Sequence, residues 1–245
     1  MQYYNSKIFA QKKIAADIFL LTVAKNEEPI TPGQFYMLKV NDESLPLMRP
    51  ISVYNVEKEQ LHFLYKVVGK GTELLSKLKK GEAIDILGPL GNGFPCGNVS
   101  GKIALVGGGI GIPPLFETAK YLAKNGCMVD MFLGYKDELF VFEPFAQVCE
   151  NVFIASENGN EGYKGYITHI FNPQSYNAVF TCGPEIMMIK VKELCDNHKV
   201  PVWLSLENRM ACGIGACLVC TCKTLEGMKR CCKEGPVFSG DMLVF

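Results

Sequence analysis

The sequence predicts a β barrel plus α/β architecture: an antiparallel barrel, then a parallel-sheet layer, then a small cysteine-rich tail. Three observations carry that expectation. Between Lys7 and about Val99, short runs of β-branched and aromatic residues are punctuated by Gly and Pro. From Gly101, apolar strands alternate with helical segments, which gives a parallel sheet covered on both faces. After about Leu206 the periodicity gives way to Cys and Gly. The expected domains are residues 1–99, 100–206 and 207–245.

In the first region "FYMLKV" (35–40), "ISVYNV" (51–56) and "LHFLYKVV" (61–68) read as strands, with turns at Pro32-Gly33 and at glycines 69, 71, 81, 88, 91 and 93. "TELLSKLKK" (72–80) reads as the single helix, with Thr72 as N-cap and Gly81 as terminator. Many short strands with one helix favour a barrel. In the second region "KIALVGGG" is a strand ending in glycines, and "PPLFETAKYLAKNG" is a helix with Pro at its start and Gly at its end. "CMVDMFLGY", "NVFIAS", "NAVFTCG" and "VPVWLSL" are further strands, and "PEIMMIKVKELCDNH" a further helix.

The chain has 245 residues, 48% of them apolar, enough for two ordinary domains and an appendage. No apolar run approaches the roughly 18 residues of a membrane span. The start "MQYYNSKIFA" lacks the basic patch and apolar stretch of a signal peptide. Twenty-five basic and 25 acidic side chains cancel, which argues against nucleic acid or an anionic membrane as main partner. The expected location is the reducing cytoplasm, where the eleven cysteines point to metal or redox chemistry rather than disulfides.

Four of those cysteines lie in "ACGIGACLVCTC" (211–222). Cys212, Cys217 and Cys220 have the spacing C-x4-C-x2-C, and a fourth thiol follows at Cys232, with Cys231 as its competitor. This is the plant-type [2Fe–2S] pattern. Gly213 and Gly215 let a tight loop aim backbone N–H groups at cluster sulfurs while thiolates hold the irons. Zinc is the rival, but zinc sites usually offer two close C-x2-4-C pairs, and here only one precedes the final ligand. The plainest alternative is a set of buried free thiols. Cys222 should point away from a cluster if its segment is extended.

"MRPISVYN" puts Arg49, Pro50, Ile51 and Ser52 at a strand entrance, where Arg can grip a pyrophosphate through its planar fork. Ser52 could face a flavin ring nitrogen. Gly71 and Thr72 open the helix, and helix N-termini bind phosphate. Each taken singly has a plainer reading, a solvated strand end or an ordinary cap; two grips in one barrel favour a dinucleotide.

"LVGGGIGIPPLF" follows a strand and opens a helix, the context of a nucleotide-binding loop formed by Gly107, Gly108, Gly109 and Gly111. The fingerprint is imperfect because Pro114 occupies the third glycine position. Asp130 sits about where a ribose-binding acid belongs, yet inside a strand, so a structural aspartate is an equal reading. A second loop, "TCGPEIMM", places Cys182 and Gly183 at a strand's carboxyl end, where ligands sit in open α/β sheets.

The barrel with R-P-x-S, followed by G-G-G-I-G-x-P-P and C-G-P, resembles the ferredoxin–NADP reductase superfamily over the whole chain. The tail "ENRMACGIGACLVCTC…RCCKEGPVFSGDML" is similar to the electron-transfer subunits of class 1B dihydroorotate dehydrogenases. The resemblance implies FAD on the barrel, touched by Arg49 to Ser52, by Leu64, Tyr65 and Lys66, and by Gly71 and Thr72. It implies a pyridine nucleotide on the second domain, Cys232 as fourth cluster ligand, and a partner catalytic subunit holding FMN in a heterotetramer of two of each. Electrons would pass from that FMN through the cluster and FAD to NAD+ in pyrimidine biosynthesis. No residue here is a base for dihydroorotate, and His62, His169 and His198 are scattered. Acidic residues near "LGYKDE" and "SENGNEG" lean toward NAD over NADP. The rival readings are a subunit of a bifurcating ferredoxin reductase or sulfide dehydrogenase, in which Asp can replace the first cluster cysteine, and a zinc-stabilised binding module.

Overall fold

The computed structural model describes residues 1–40 and 42–245. In the first region β1 (Gln2–Lys13), β2 (Ile18–Ala24), β3 (Phe35–Leu38), β4 (Arg49–Ser52), β5 (Asn55–Val56), β6 (Gln60–Lys66) and β7 (Ala83–Leu90) form one antiparallel sheet. Its order is β4-β3-β7-β1-β2-β6-β5, and it curls into a half-barrel whose end strands approach where β4 lies against β6. The period-2 alternation of β6 divides its side chains between two cores. Leu61, Phe63 and Tyr65 fill the inside of the barrel with Ile8, Leu21 and Tyr36, while Leu64 points to the core shared with the second region.

Three local expectations are corrected. "ISVYNV" is two strands, because Val53 donates its N–H to Gln34 O while Tyr54 donates to His62 O, on different neighbours. The helix, α1, spans Lys70–Ser76, with Gly69 rather than Thr72 as its N-cap. Thr72 stands at the third helical position and turns its hydroxyl inward, accepting from the Val68 and Gly69 N–H groups and donating to Gly69 O. Gly81 lies beyond the helix, in the turn entering β7, where its φ of +93° suits glycine and its N–H donates to Ile8 O.

The second region contains the five strands and two helices expected, together with the unexpected α3 and β11: β8 (Lys102–Gly108), α2 (Pro114–Lys124), β9 (Met128–Tyr135), α3 (Phe142–Ala146), β10 (Asn151–Ser156), β11 (Tyr163–Lys164), β12 (Ala178–Cys182), α4 (Glu185–His198) and β13 (Val202–Ser205). The tail adds a hairpin, β14 (Thr221–Thr224) with β15 (Gly227–Arg230), and then β16 (Val237–Ser239). The sheet order is β11-β10-β9-β8-β12-β13-β16, parallel except for β16, which pairs antiparallel with β13. The tail is thus woven into the sheet edge. Chain order reverses between β8 and β12, the switch point at which open α/β sheets bind ligands.

Helix α2 joins the two regions. Its buried Leu115, Phe116, Ala119 and Leu122 follow the helical repeat, and Phe116 stacks on Tyr54 with ring centroids 5.1 Å apart. Beside that stack the Glu117 carboxylate accepts the Val56 N–H at 2.8 Å, and the Lys120 ammonium donates to Asn55 Oδ1 at 2.6 Å. Among the described residues no helix is long and apolar enough to cross a membrane.

Asp130 resolves as structural. Only 1% exposed, it pairs with the Lys102 ammonium at 2.8 Å and accepts from the Tyr176 hydroxyl and the Asn151 amide, each at 2.8 Å. It lies near the amino end of β9, opposite the switch point, so it cannot reach a ribose there. Burial works against its charge, but the Lys102, Asn151 and Tyr176 bonds hold its carboxyl below the usual carboxylate value. A carboxyl lowered in the folded state contributes stability above its unfolded value of about 3.9, lost as pH falls through the folded value. Asp130→Ala, which strands those partners, is expected to cost about 3–5 kcal/mol at pH 7 in denaturant melts. The gap from wild type should shrink below about pH 4.

Candidate functional site

A cleft of about 1230 Å³ opens where the barrel, the sheet's switch point and the tail meet. It gathers Arg49, Pro50, Ile51, Ser52, Leu64, Tyr65, Lys66, Gly71 and Thr72 from the barrel. From the second region it takes Gly108, Gly109, Gly111, Cys182 and Gly183. Of the residues singled out for FAD or the pyridine nucleotide, Gly107 does not line it, and the four cluster cysteines lie beside it rather than on its wall. A side chain on Gly107 would project into the sheet's packing, 2.9 Å from Ile112 Cγ1 and 3.0 Å from Met131 Cε.

On the barrel wall, β4 delivers Arg49 and the start of α1 delivers Gly71. The two are built around each other. A Cβ on Gly71 would overlap the Arg49 guanidinium, so this close approach requires glycine although the backbone is ordinary helix. The Arg49 Nη1 also donates to Leu47 O, which fixes one end of the fork. With the Thr72 hydroxyl spent inside the turn, its contribution to the cleft is backbone. Lys66 is committed elsewhere, since its ammonium pairs with Asp17 at 3.1 Å. Phe35 and Leu64 add apolar lining beside these polar groups, a combination suited to a flat ring with a phosphate-bearing tail.

The glycine loops lie at the carboxyl ends of β8 and β12 and pack backbone to backbone. A Cβ on Gly111 would meet Gly183 Cα and N at 2.5 Å, and one on Gly108 would meet Met187 Sδ at 2.6 Å. Gly109 differs: its φ is +51°, and nothing lies within 4 Å of where a Cβ would stand. Its bare backbone is open to a ligand's close approach. Cys182 is held in place beside Ser205 and near Glu207; burial, tempered by a hydrogen bond to Ser205, pushes its thiol up to about 12, so it sits there as a neutral, compact group.

In the tail the four thiols of the iron–sulfur pattern meet in two pairs. The Cys217 N–H donates to Cys212 Sγ and the Cys232 N–H to Cys220 Sγ, both at 3.4 Å. Cys212 also acts on Cys232 electrostatically, so the pairs adjoin. Two adjoining pairs of thiols are an arrangement that a two-iron group can use, each pair facing one iron. Burial opposes ionisation of Cys212, yet the Ile214, Cys217 and Ala216 N–H groups with the Cys217 thiol bring it down to about 6. Cys231 turns away: its sulfur accepts from the Asn208 amide at 3.3 Å and faces Cys222. Cys222 lines the cleft. The loop is seated on the barrel, since a Cβ on Gly213 would fall 2.6 Å from Met37 Cγ. Cys220, Cys231 and Cys232 share one core with Phe35, Met37 and Leu90.

Sequence reasoning missed the cleft's tail-side wall: Ser205, Glu207, Arg209, Lys223 and Phe245. The run "LSLENRM" offers a weak sign, polar residues placed directly after a parallel strand's carboxyl end. Nothing local marks Lys223 or Phe245.

A family model described as the iron–sulfur cluster binding domain of dihydroorotate dehydrogenase B matches residues 207–244. A protein of Clostridium acetobutylicum named dihydroorotate dehydrogenase B (NAD(+)), electron transfer subunit, is 48% identical, covering 99% of this chain and 98% of its own. The protein of the same name from Clostridium perfringens is 44% identical over 98% of this chain and 97% of its own. Among solved structures, an NADH-dependent reduced ferredoxin-NADP oxidoreductase superposes with a TM-score of 0.87 at 29% identity, covering 97% of this chain and 89% of that one.

Proposed function

The chain belongs to the family of dihydroorotate dehydrogenase B (NAD(+)) electron-transfer subunits, and on that premise we propose which of its residues hold each cofactor. It is an oxidoreductase subunit with an iron–sulfur cluster, FAD and NAD as its redox groups, and a separate catalytic subunit as its partner. In the finer reading that partner carries FMN, oxidises dihydroorotate, and assembles with this chain two to two in the cytoplasm. A chain rich in cysteine, four of them proposed as cluster ligands, fits a reducing compartment.

A nicotinamide exchanges a hydride, a [2Fe–2S] cluster exchanges single electrons and a flavin does both, so FAD stands between cluster and NAD+ on the route from the partner's FMN. The residues of this chain supply placement. Cys212 and Cys217 would hold one iron and Cys220 and Cys232 the other, a division supported by their pairing. Arg49 would hold the FAD pyrophosphate in its fork, with Gly71 leaving room for the guanidinium and the first-turn N–H groups adding donors. Pro50 to Ser52 and Leu64 to Lys66 would border the ring. Gly108, Gly109 and Gly111 would let the dinucleotide lie against bare backbone, and Cys182 and Gly183 would floor the nicotinamide end. Gly107 acts indirectly, by letting β8 pack against Ile112.

The observation that carries this reading is the single cleft into which barrel, switch point and tail all open, with Thr221 and Cys222 bringing the cluster loop's own strand to its wall. Co-expression tests it. With an FMN-containing catalytic subunit, the cofactor-loaded complex is expected to reduce NAD+ with dihydroorotate, and neither subunit alone should do so. An intact, fully loaded complex without coupling would reject the assignment.

A further inference from the structure

Arg230, the last residue of β15, reaches back to the loop between Cys212 and Cys217. Its Nη1 donates to Gly215 O at 2.9 Å. Its Nε donates to Glu234 Oε2 at 3.0 Å, and its Nη2 pairs with Glu234 Oε1. Glu234 is fixed in turn, because Oε2 also accepts the Arg230 N–H at 2.8 Å and the Glu234 N–H donates to Arg230 O at 2.9 Å. Gly215, at φ +83°, lies under this arrangement, with a Cβ there 2.8 Å from Lys233 Cδ and 3.5 Å from Arg230 Nη1. The guanidinium therefore ties the segment bearing Cys212 and Cys217 to the segment bearing Cys232. Both side chains are partly shielded, at 27% and 31% exposed.

An ordinary surface ion pair contributes little to stability and has no reason to use its whole fork. This one spends all three of the observed guanidinium donors on one carboxylate and one loop carbonyl, beside the thiols. Adding one electron to a [2Fe–2S] group, with no proton, leaves one more negative charge there. A fixed cation nearby favours that state and a fixed anion disfavours it.

We propose that Arg230 and Glu234 form a positioning and charge pair that sets the reduction potential of the [2Fe–2S] cluster: Arg230 clamps the Gly215 carbonyl and raises the potential, and Glu234 orients Arg230 and offsets it. The proposal rests on the reading of Cys212, Cys217, Cys220 and Cys232 as cluster ligands. Its signature is a pair of shifts of opposite sign. Loosening of the loop alone would admit water in either variant and move both potentials the same way.

The test is an anaerobic dithionite titration with mediator dyes on the full-length, cofactor-loaded protein, following the electron paramagnetic resonance signal of the reduced cluster. Arg230→Gln is expected to lower the reduced-to-oxidised ratio about tenfold at the wild-type midpoint, about 59 mV for a one-electron couple. Glu234→Gln should raise it. Arg230→Lys, which keeps the charge without the fork, should return the midpoint toward wild type. Shifts of the same sign, or unmoved midpoints in cluster-replete variants, overturn the proposal. If Arg230→Gln fails to retain its cluster, Glu234→Gln decides by itself, an unmoved or negative shift overturning the idea. Wild-type protein lacking iron and acid-labile sulfide would instead refute the ligand assignment beneath it.

Discussion

Cys217→Ala is expected to abolish the iron–sulfur absorbance and bring cluster iron close to zero while leaving flavin content near one per chain. The separation follows from where the groups lie. The residues proposed for FAD come from β4, β6 and α1, and none belongs to the loop of residues 212–220. Cys217 is exposed, so its loss empties no packed site, in contrast to Cys220 and Cys232, which are 2% and 3% exposed. Alanine at either buried position would open a void and confound ligand loss with unfolding. Electron transfer from the partner to NAD+ should fall to background in Cys217→Ala, while NADH-driven reduction of a soluble one-electron acceptor such as ferricyanide persists. Iron and acid-labile sulfide assays with flavin extraction read the first outcome, and steady-state rates the second. Loss of flavin together with the cluster, in a chain that remains folded, would contradict independent sites.

The parts of this site that were legible in the sequence are those whose geometry is set within one short segment. C-x4-C-x2-C closes a loop on its own spacing, and a strand running through glycines into a helix announces a turn at a sheet's carboxyl end. What stayed hidden depends on partners far along the chain. Gly111 reads as a phosphate-loop glycine, but its lack of a side chain is required by Gly183, seventy-two positions later (183 − 111), and the reason exists only once β8 and β12 are neighbours. Asp130 has the spacing of a ribose acid and the environment of a buried ion-pair network drawn from β8, β10 and the loop before β12. Thr72 has the composition of a cap, yet Gly69 begins the helix and the hydroxyl turns inward. The choice between Cys231 and Cys232 was likewise open to spacing alone. In the turn that follows β15, Cys232 donates its N–H to Cys220 Sγ, whereas the Cys231 sulfur lies with Asn208 and Cys222, which is why Cys232 is the one proposed as ligand.

Gly71→Ala separates local propensity from the function of the cleft more sharply than removal of Arg49 would. Gly71 sits in α1, and alanine in a helix is favoured over glycine by roughly 0.5–1 kcal/mol. The FAD-free protein should therefore melt no lower than wild type, and slightly higher if the new methyl group is accommodated by swinging Arg49 out. Because the added Cβ overlaps the guanidinium, accommodation has that consequence: Arg49 leaves its place over the helix start, and its fork no longer faces the site proposed for the pyrophosphate. A charge-assisted hydrogen bond contributes about 1.5–3 kcal/mol, and each 1.4 kcal/mol is tenfold in affinity. The dissociation constant for FAD should then rise about 10- to 100-fold, measured by titrating FAD into apoprotein and following flavin fluorescence. Arg49→Lys, which keeps the charge and loses the planar fork, should lie between wild type and Gly71→Ala. The double variant should be no worse than about the sum of its parts, since both changes act on one contact. If Gly71→Ala binds FAD as tightly as wild type while its melting temperature rises, Arg49 does not grip the cofactor from this position, and the barrel's phosphate site must lie elsewhere along the cleft.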